Sequence, residues 1–173
     1  ILITADGGFR GTKITPLKEI ADEAMKSTPS IEKCIVLERT KSKITMKNGR
    51  DIWWNNELQK AKEDCPIEVM DAEDPLFILY TSGSTGKPKG IQHSIAGYMI
   101  YTEFSFRNVF QYSEGDVYWC TADIGWITGH SYIVYGPLLS GATTMMFEGV
   151  PTFPDAGRFW QIVEENKVNI FYT

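Results

Sequence analysis

The sequence predicts an α/β fold, a mostly parallel sheet with covering helices, and three observations carry that expectation. Strand-like and helix-like patterns alternate along nearly the whole chain. A short apolar run, Pro75-Leu76-Phe77-Ile78-Leu79-Tyr80, opens directly into a loop rich in glycine, hydroxyl groups and lysine. That is the pattern of a buried parallel strand ending at the sheet edge where α/β proteins collect ligands. Finally, 173 residues, 43% of them hydrophobic, supply enough apolar material for one substantial core.

Taken in order, Ile1 to Thr4 reads as a strand, and Thr15-Pro16 offers an N-cap and a proline at the first helical position. Leu17, Ile20, Ala21 and Ala24 then follow at helical spacing, and Cys34 to Leu37 is the next strand. After a polar stretch over 39–50, Trp54, Leu58 and Ala61 mark one face of a short helix, with Pro66 soon after its end. The glycine-rich loop comes next. Pro88 restricts Lys87 to extended geometry, so the chain is expected to continue as strand or hairpin through Lys89-Gly90-Ile91-Gln92-His93. Ile95, Met99, Thr102, Phe106 and Val109 have the spacing of a longer amphipathic helix, and Val117–Cys120 and Thr143–Phe147 read as strands. Pro154-Asp155 opens a last helix with Phe159, Ile162 and Val163 inward, and 169–173 again reads as a strand. Trp53, Trp54, Trp119 and Trp160 are assigned to the core. Both ends read as cut from something longer, and no signal peptide is visible.

Composition excludes several classes of function. A net charge of -5 without a basic stripe argues against a nucleic-acid partner, and Lys41, Lys43, Lys47 and Arg50 read as a solvated loop. Cys34, Cys65 and Cys120 are widely spaced and read as free thiols, which fits the cytoplasm or another reducing intracellular compartment. His93 and His130, the two histidines, have no companion at ligand spacing, so no protein metal site is expected and His93 reads as structural. The longest apolar stretch, Tyr132 to Phe147, is broken by Gly136-Pro137 and Gly141, so no membrane span is expected.

The loop itself, Thr81-Ser82-Gly83-Ser84-Thr85-Gly86-Lys87, is the composition of a polyphosphate cradle, in which backbone N–H groups, hydroxyls and a lysine all point donors at an anion. It is only a partial Walker A loop. Thr81 stands where that motif has its first glycine, and Lys87 is followed by Pro88 instead of running into a helix. A flexible Ser/Gly linker is the competing reading, disfavoured because such linkers rarely carry two lysines around a proline.

These residues resemble the signature loop of the adenylate-forming enzymes. Within that family the chain is most similar to the AMP-forming acetyl-CoA synthetases. The narrower likeness rests on Asp71-Ala72-Glu73-Asp74-Pro75-Leu76-Phe77 ahead of the loop, on Cys120-Thr121-Ala122-Asp123-Ile124-Gly125-Trp126-Ile127-Thr128-Gly129-His130-Ser131-Tyr132, and on Phe147-Glu148-Gly149-Val150-Pro151; Ile1 to Arg10 matches more loosely. The resemblance implies that 1–173 is a single partial domain, the middle of the large N-terminal domain, without the small C-terminal domain. A carboxylate would attack the α-phosphorus of ATP, pyrophosphate would leave, and the thiol of CoA would then displace AMP. Acetate is the implied acid, with propionate or another small acid, or a non-catalytic nucleotide-binding module, as alternatives. The 173 residues alone are expected to be inactive.

The same resemblance implies the roles of individual residues. Thr81, Ser82, Gly83, Ser84, Thr85, Gly86 and Lys87 would hold the β- and γ-phosphates, Lys87 and Thr85 acting catalytically and Lys89 as a helper. Trp126, Ile127 and Thr128 would line the acyl and carboxylate pocket, Trp126 as an aromatic gate. From its residues alone, Gly125-Trp126 also reads as a packed turn. Arg10, Lys13, Thr128 and Thr152 would contact CoA, although Arg10 and Lys13 alone read as a solvated basic face. Lys13 stands where arginine is common, and Thr152 where some members carry asparagine. ATP and CoA are thus the implied ligands. Mg2+ would accompany ATP, its protein ligands lying outside these residues.

Overall fold

The computed structural model describes residues 1–82 and 86–173. Its strands and helices alternate as expected, and four of the six strand pairings are parallel. The chain divides into two compact units: 1–66 with 148–156, and 67–147 with 157–173.

In the first unit, β1 (Leu2–Ala5), β4 (Cys34–Leu37) and β5 (Asp51–Trp53) form a parallel sheet in the order β1-β4-β5. A short antiparallel hairpin, β2 (Gly8–Arg10) and β3 (Lys13–Thr15), separates β1 from helix α1 (Leu17–Met25). Pro16 itself occupies the position before the first helical residue, and no side chain caps the helix, so the expected Thr15 cap does not form. The buried stripe also differs from the expected one. Ala21 and Met25 pack on Cys34 and Val36, whereas Ile20 points outward and Lys18 is buried.

Lys18 tolerates burial because its ammonium is surrounded by acceptors. Its Nζ lies 2.7 Å from both Asp22 carboxylate oxygens, 2.9 Å from Asp51 Oδ2 and 3.2 Å from the Thr45 carbonyl. Arg50 closes the network with bonds to Asp51 and Asp22, so the solvated-loop reading fails for this residue. Burial pulls the Lys18 ammonium down, but its bonds to Asp22 and Asp51 outweigh that and leave it above its ordinary value. Burial likewise pushes the Asp51 carboxyl up, and bonds from Arg50, the Lys47 backbone and Lys18 hold it well below the usual range. A paired, fully bonded charge cluster of this kind joins α1 to β5 but is intolerant of losing one partner.

A second polar knot sits at the end of β1. Asp6, 1% exposed, accepts backbone N–H bonds from Gly7, Arg39, Thr40 and Ser42 at 2.7–2.9 Å. The following helix, α2 (Trp54–Leu58), buries none of its residues, because five residues are too few to present an apolar face. Trp54 and Leu58 are exposed, contrary to expectation.

The first strand of the second unit, β6 (Pro75–Thr81), pairs with the next, β7 (Lys89–Ser94). The pair is antiparallel and only half-buried, so the hairpin expectation holds and the buried-parallel one does not. Helix α3 (Ile95–Phe110) follows at once, with Tyr98, Thr102, Ser105 and Phe106 inward and Val109 exposed. Then come β8 (Val117–Cys120), a continuous helical run made of α4 (Ile127–Gly129), a π-helical turn (His130–Tyr135) and α5 (Gly136–Leu139), then β9 (Thr143–Met145), α6 (Arg158–Glu165) and β10 (Ile170–Tyr172). Helix α6 starts later than Pro154.

The sheet order β10-β8-β9 places β8 in the centre with parallel partners on both sides. Both faces of β8 are therefore covered. Tyr118 and Cys120 face Phe106, Ile133 and Ala142, while Trp119 meets Phe147, Phe159 and Phe171 with ring centroids 4.9–6.0 Å apart. Of the four tryptophans assigned to the core, Trp119 alone is fully buried; Trp160 is 64% exposed, its ring in a T-shaped contact with Phe171. Gly136 allows α3 and α5 to approach backbone to backbone, since a Cβ there would lie 2.8 Å from the Ser131 carbonyl and 3.0 Å from that of Thr102.

Alongside Asp51, Asp6 contributes to the acid sensitivity of the first unit. Burial pushes its carboxyl up, but the four backbone bonds prevail and bring it from 3.8 down to about 2. Unfolding restores an ordinary value near 4, so this stabilisation is fully present above about pH 4 and is lost as pH falls toward 2. It amounts to about 2.5 kcal/mol, at about 1.4 kcal/mol per pH unit. Asp6→Asn is expected to lose about 2–3 kcal/mol at neutral pH and to flatten the acid limb, read by urea denaturation across this range. An unchanged acid limb would place the sensitivity elsewhere.

Candidate functional site

The described residues of the phosphate loop lie at the open end of the β6–β7 ladder. Thr81 ends β6 and pairs across the ladder with Lys89, which begins β7. Ser82, Gly86 and Lys87 are exposed beyond the ladder, and Gly86 has φ +80, a conformation that favours glycine and helps to turn the chain back. The predicted phosphate ligands Gly83, Ser84 and Thr85 lie outside the described residues. Among the described residues, two lysines and two hydroxyl side chains are thus presented at one end of the ladder, and strand β7 follows where a Walker A loop would enter a helix.

The root of the hairpin is fixed by the Asp71–Phe77 segment. Asp71 N–H donates to Asp74 Oδ2 at 2.8 Å, forming a turn whose carbonyls accept from α3: Ile95 N–H to Asp74 O and Ala96 N–H to Ala72 O, each 3.0 Å. These bonds satisfy orphan donors at the start of the helix. Above the turn, the Phe77 ring packs against His93 (centroids 4.8 Å), Tyr98 (4.9 Å), His130 (5.0 Å) and Tyr135 (5.8 Å).

The segment expected to bind the acyl group leaves the C-terminal end of the central strand β8, the edge at which open α/β sheets take up ligands. Asp123 shapes it: its Oδ1 accepts from Gly125 N–H at 2.8 Å and its carbonyl from Trp126 N–H at 3.0 Å. Gly129 is obligatory here, because a Cβ would fall 2.3 Å from the Asp123 carbonyl and 2.7 Å from Ile124 Cα. The helical run starting at Ile127 then presents Ile127, Thr128, Ser131 and Tyr132 to an open cavity of about 520 Å³. Gln92, His93, Ser94, Gly97, Tyr98 and Tyr101, from β7 and α3, form the opposite wall. Trp126 is 54% exposed and lies just outside this lining.

Sequence reasoning missed that opposite wall. Tyr98 and Ser131, both buried, share a 2.7 Å hydrogen bond beneath the cavity. Burial pushes the Tyr98 hydroxyl above its ordinary value even though the Ser131 bond works the other way. Helical spacing places Tyr98 on α3 but cannot show that its hydroxyl meets a residue 33 positions later. His93, expected to be structural, packs on Phe77 and Tyr98 and also lines the cavity.

In the first unit, Arg10 and Lys13 face each other across the β2–β3 register, both exposed. A Cβ on Gly11, at the tip of this hairpin, would lie 3.7 Å from Val150 Cγ2, which brings the segment carrying Thr152 beside the basic pair. Phe9 lies under the Arg39 guanidinium at 4.9 Å, and Arg39 is in turn paired with Glu148. Thr128, the fourth predicted CoA contact, belongs to the second unit. Among the described residues no group of three His, Cys, Asp or Glu side chains is placed to hold a metal ion, and no helix is long and apolar enough to cross a membrane.

Comparison with known proteins matches the whole chain, residues 1–173, to the family described as AMP-binding enzyme. The chain is 60% identical over all 173 residues to an acetyl-coenzyme A synthetase of Syntrophobacter fumaroxidans, and likewise 60% to one of Desulfatibacillum aliphaticivorans. It is 59% identical over 172 residues to acetyl-coenzyme A synthetase 2 of Pseudomonas aeruginosa. The chain spans 27% of the length of each of these relatives.

The Asp123 turn provides a direct test of the local geometry. Gly129→Ala is expected to destabilise the protein by about 2–3 kcal/mol, because the added methyl meets backbone that cannot rotate away. Chemical denaturation measures this, and a loss below about 0.5 kcal/mol would show that the turn can open to admit a side chain.

Proposed function

Since the chain belongs to the AMP-binding enzyme family, we propose that it forms the phosphate-gripping and acyl-binding part of an acetate:CoA ligase, and that its two units belong to one larger domain. A single observation carries this reading: the hairpin that bears the phosphate loop is rooted, through Phe77, on the helical run that presents Ile127 and Thr128 to the cavity. The high identity to proteins named acetyl-coenzyme A synthetase supports acetate as the acid.

In the proposed reaction a carboxylate oxygen of acetate attacks the α-phosphorus of ATP, and the bond to the bridging oxygen breaks to release pyrophosphate. The CoA thiol then adds to the acyl carbon, loses its proton and expels AMP. A carboxylate is already ionised at neutral pH, so the first step needs no general base. What it needs is charge compensation on the leaving pyrophosphate and fixed positioning of the two reactants. Lys87, with the hydroxyls of Thr81, Ser82, Ser84 and Thr85 and the loop backbone, is our choice for the first task, and Lys89 stands opposite Thr81 to assist. Trp126, Ile127 and Thr128 take the second. The cavity is larger than acetate requires, which leaves room for the α-phosphate or the incoming thiol beside the acyl group. Arg10 and Lys13 are proposed to hold the 3′-phosphate of CoA, with Thr128 and Thr152 as further CoA contacts. Mg2+ would accompany ATP, and no step is routed through it.

Two measurements on the intact enzyme test the proposal. Carboxylate-dependent ATP/pyrophosphate exchange across formate, acetate, propionate and butyrate, followed by CoA consumption, is expected to favour acetate steeply. One methylene is worth about 1–3 kcal/mol, so a propionate optimum would reassign the acid. Lys87→Ala is expected to lower acetate-dependent exchange at least about tenfold, or about 1.4 kcal/mol of transition-state stabilisation. Unchanged exchange would remove Lys87 from the catalytic set.

A further inference from the structure

A carboxylate and a polyphosphate held on different elements react only if those elements keep a fixed separation, and one imidazole spans the interval between them. His130 opens the π-helical turn, four residues after Trp126. Its backbone N–H donates to the Trp126 carbonyl at 3.1 Å, and its ring Nδ1 lies 3.0 Å from the same oxygen. A carbonyl can only accept, so Nδ1 carries the proton and the Trp126 carbonyl receives two bonds from one residue. The face of the same ring stacks on Phe77, with centroids 5.0 Å apart and planes inclined by 29°. Phe77 lies on β6, four residues before Thr81 and the start of the phosphate loop.

Trp126 is joined by its backbone bonds, including that of its N–H to the Asp123 carbonyl, to its own segment and not to β6. It precedes α4 with extended backbone (φ -105, ψ 155), and its side chain is more than half exposed. The second bond, from the imidazole, is the one that ties Trp126 to β6 as well as to its own helix. π-Helical turns are uncommon and are often kept at functional sites, and here the turn begins at the residue that makes both contacts.

We propose that His130 is a positioning residue for acyl adenylation, holding the Trp126 gate in register with the strand that carries the phosphate loop. The proposal rests on the ligase reading above. Phenylalanine at 130 would preserve stacking on Phe77 and remove only the Nδ1 bond, which separates a positioning role from simple packing.

In the intact enzyme, His130→Phe is expected to raise the KM for acetate at least about fivefold in pyrophosphate exchange, on the scale of one hydrogen bond. The KM for ATP should stay within about twofold, and the preference for acetate over propionate should fall. In a Trp126→Ala background the same substitution is expected to change neither quantity, since no gate remains to be held. Wild-type KM and preference in His130→Phe would overturn the proposal, as would an equal shift in the Trp126→Ala background. If His130→Phe does not fold, Phe77→Leu removes the other end of the tie. It is expected to shift acetate KM and preference in the same direction, and no shift would overturn the proposal. Failure of the ligase reading is told apart, because it shows as absent carboxylate-dependent exchange in the unsubstituted enzyme and removes the proposal's premise.

Discussion

The Phe77 ring is the contact on which the second unit depends. It meets four other rings, and these come from β7, α3 and the π-helical turn. None of the contacts is strong alone; offset and edge-on aromatic pairs contribute about 0.5–1.5 kcal/mol beyond their burial. Their effect is collective, because a β-hairpin is marginal by itself and gains a fixed position only by packing on something else. With Phe77 in place, the hairpin tip and the cavity wall become parts of one body.

The first unit reaches the same end by different chemistry. Its sheet and helix bury few large apolar side chains, and two polar knots, the Asp6 cradle and the Lys18–Asp22–Arg50–Asp51 cluster, bind loops that hydrophobic burial would leave free. In the ion cluster desolvation offsets much of the attraction, whereas the backbone bonds to Asp6 outweigh it and add stability above about pH 4. Both also confer specificity. The β1 end and the 39–42 loop can meet in only one way, and this orders the chain around the hairpin that carries Arg10 and Lys13.

Much of this could be read from the chain. Cys34–Leu37 and Val117–Cys120 are short β-branched or aromatic runs and are central strands; the turn back after Lys87 was legible in Pro88. The misreadings share one cause. Period and composition report which residues are apolar, not which have a neighbour to bury against. Leu58 on a five-residue helix and Trp160 on α6 are apolar residues that stay largely exposed among the described residues. Conversely, Arg50 reads as part of a solvated loop because its bond to Asp22, 28 positions away, leaves no local signal, although its other partner Asp51 is adjacent.

By itself, the sequence determined the chemistry available: a run of hydroxyls, glycines and lysines at a strand end, an aromatic segment after the central strand, and a family likeness that assigns both. Local residue types suffice for that, because donor groups and turn geometry are written within a few positions. Only the tertiary structure decided which distant groups meet. The Tyr98–Ser131 bond, the stacking of His130 on Phe77 and the far wall of the cavity each join residues whose separation along the chain carries no signal. Contacts of that kind arise from packing two faces together, and no pattern on either face alone encodes the match.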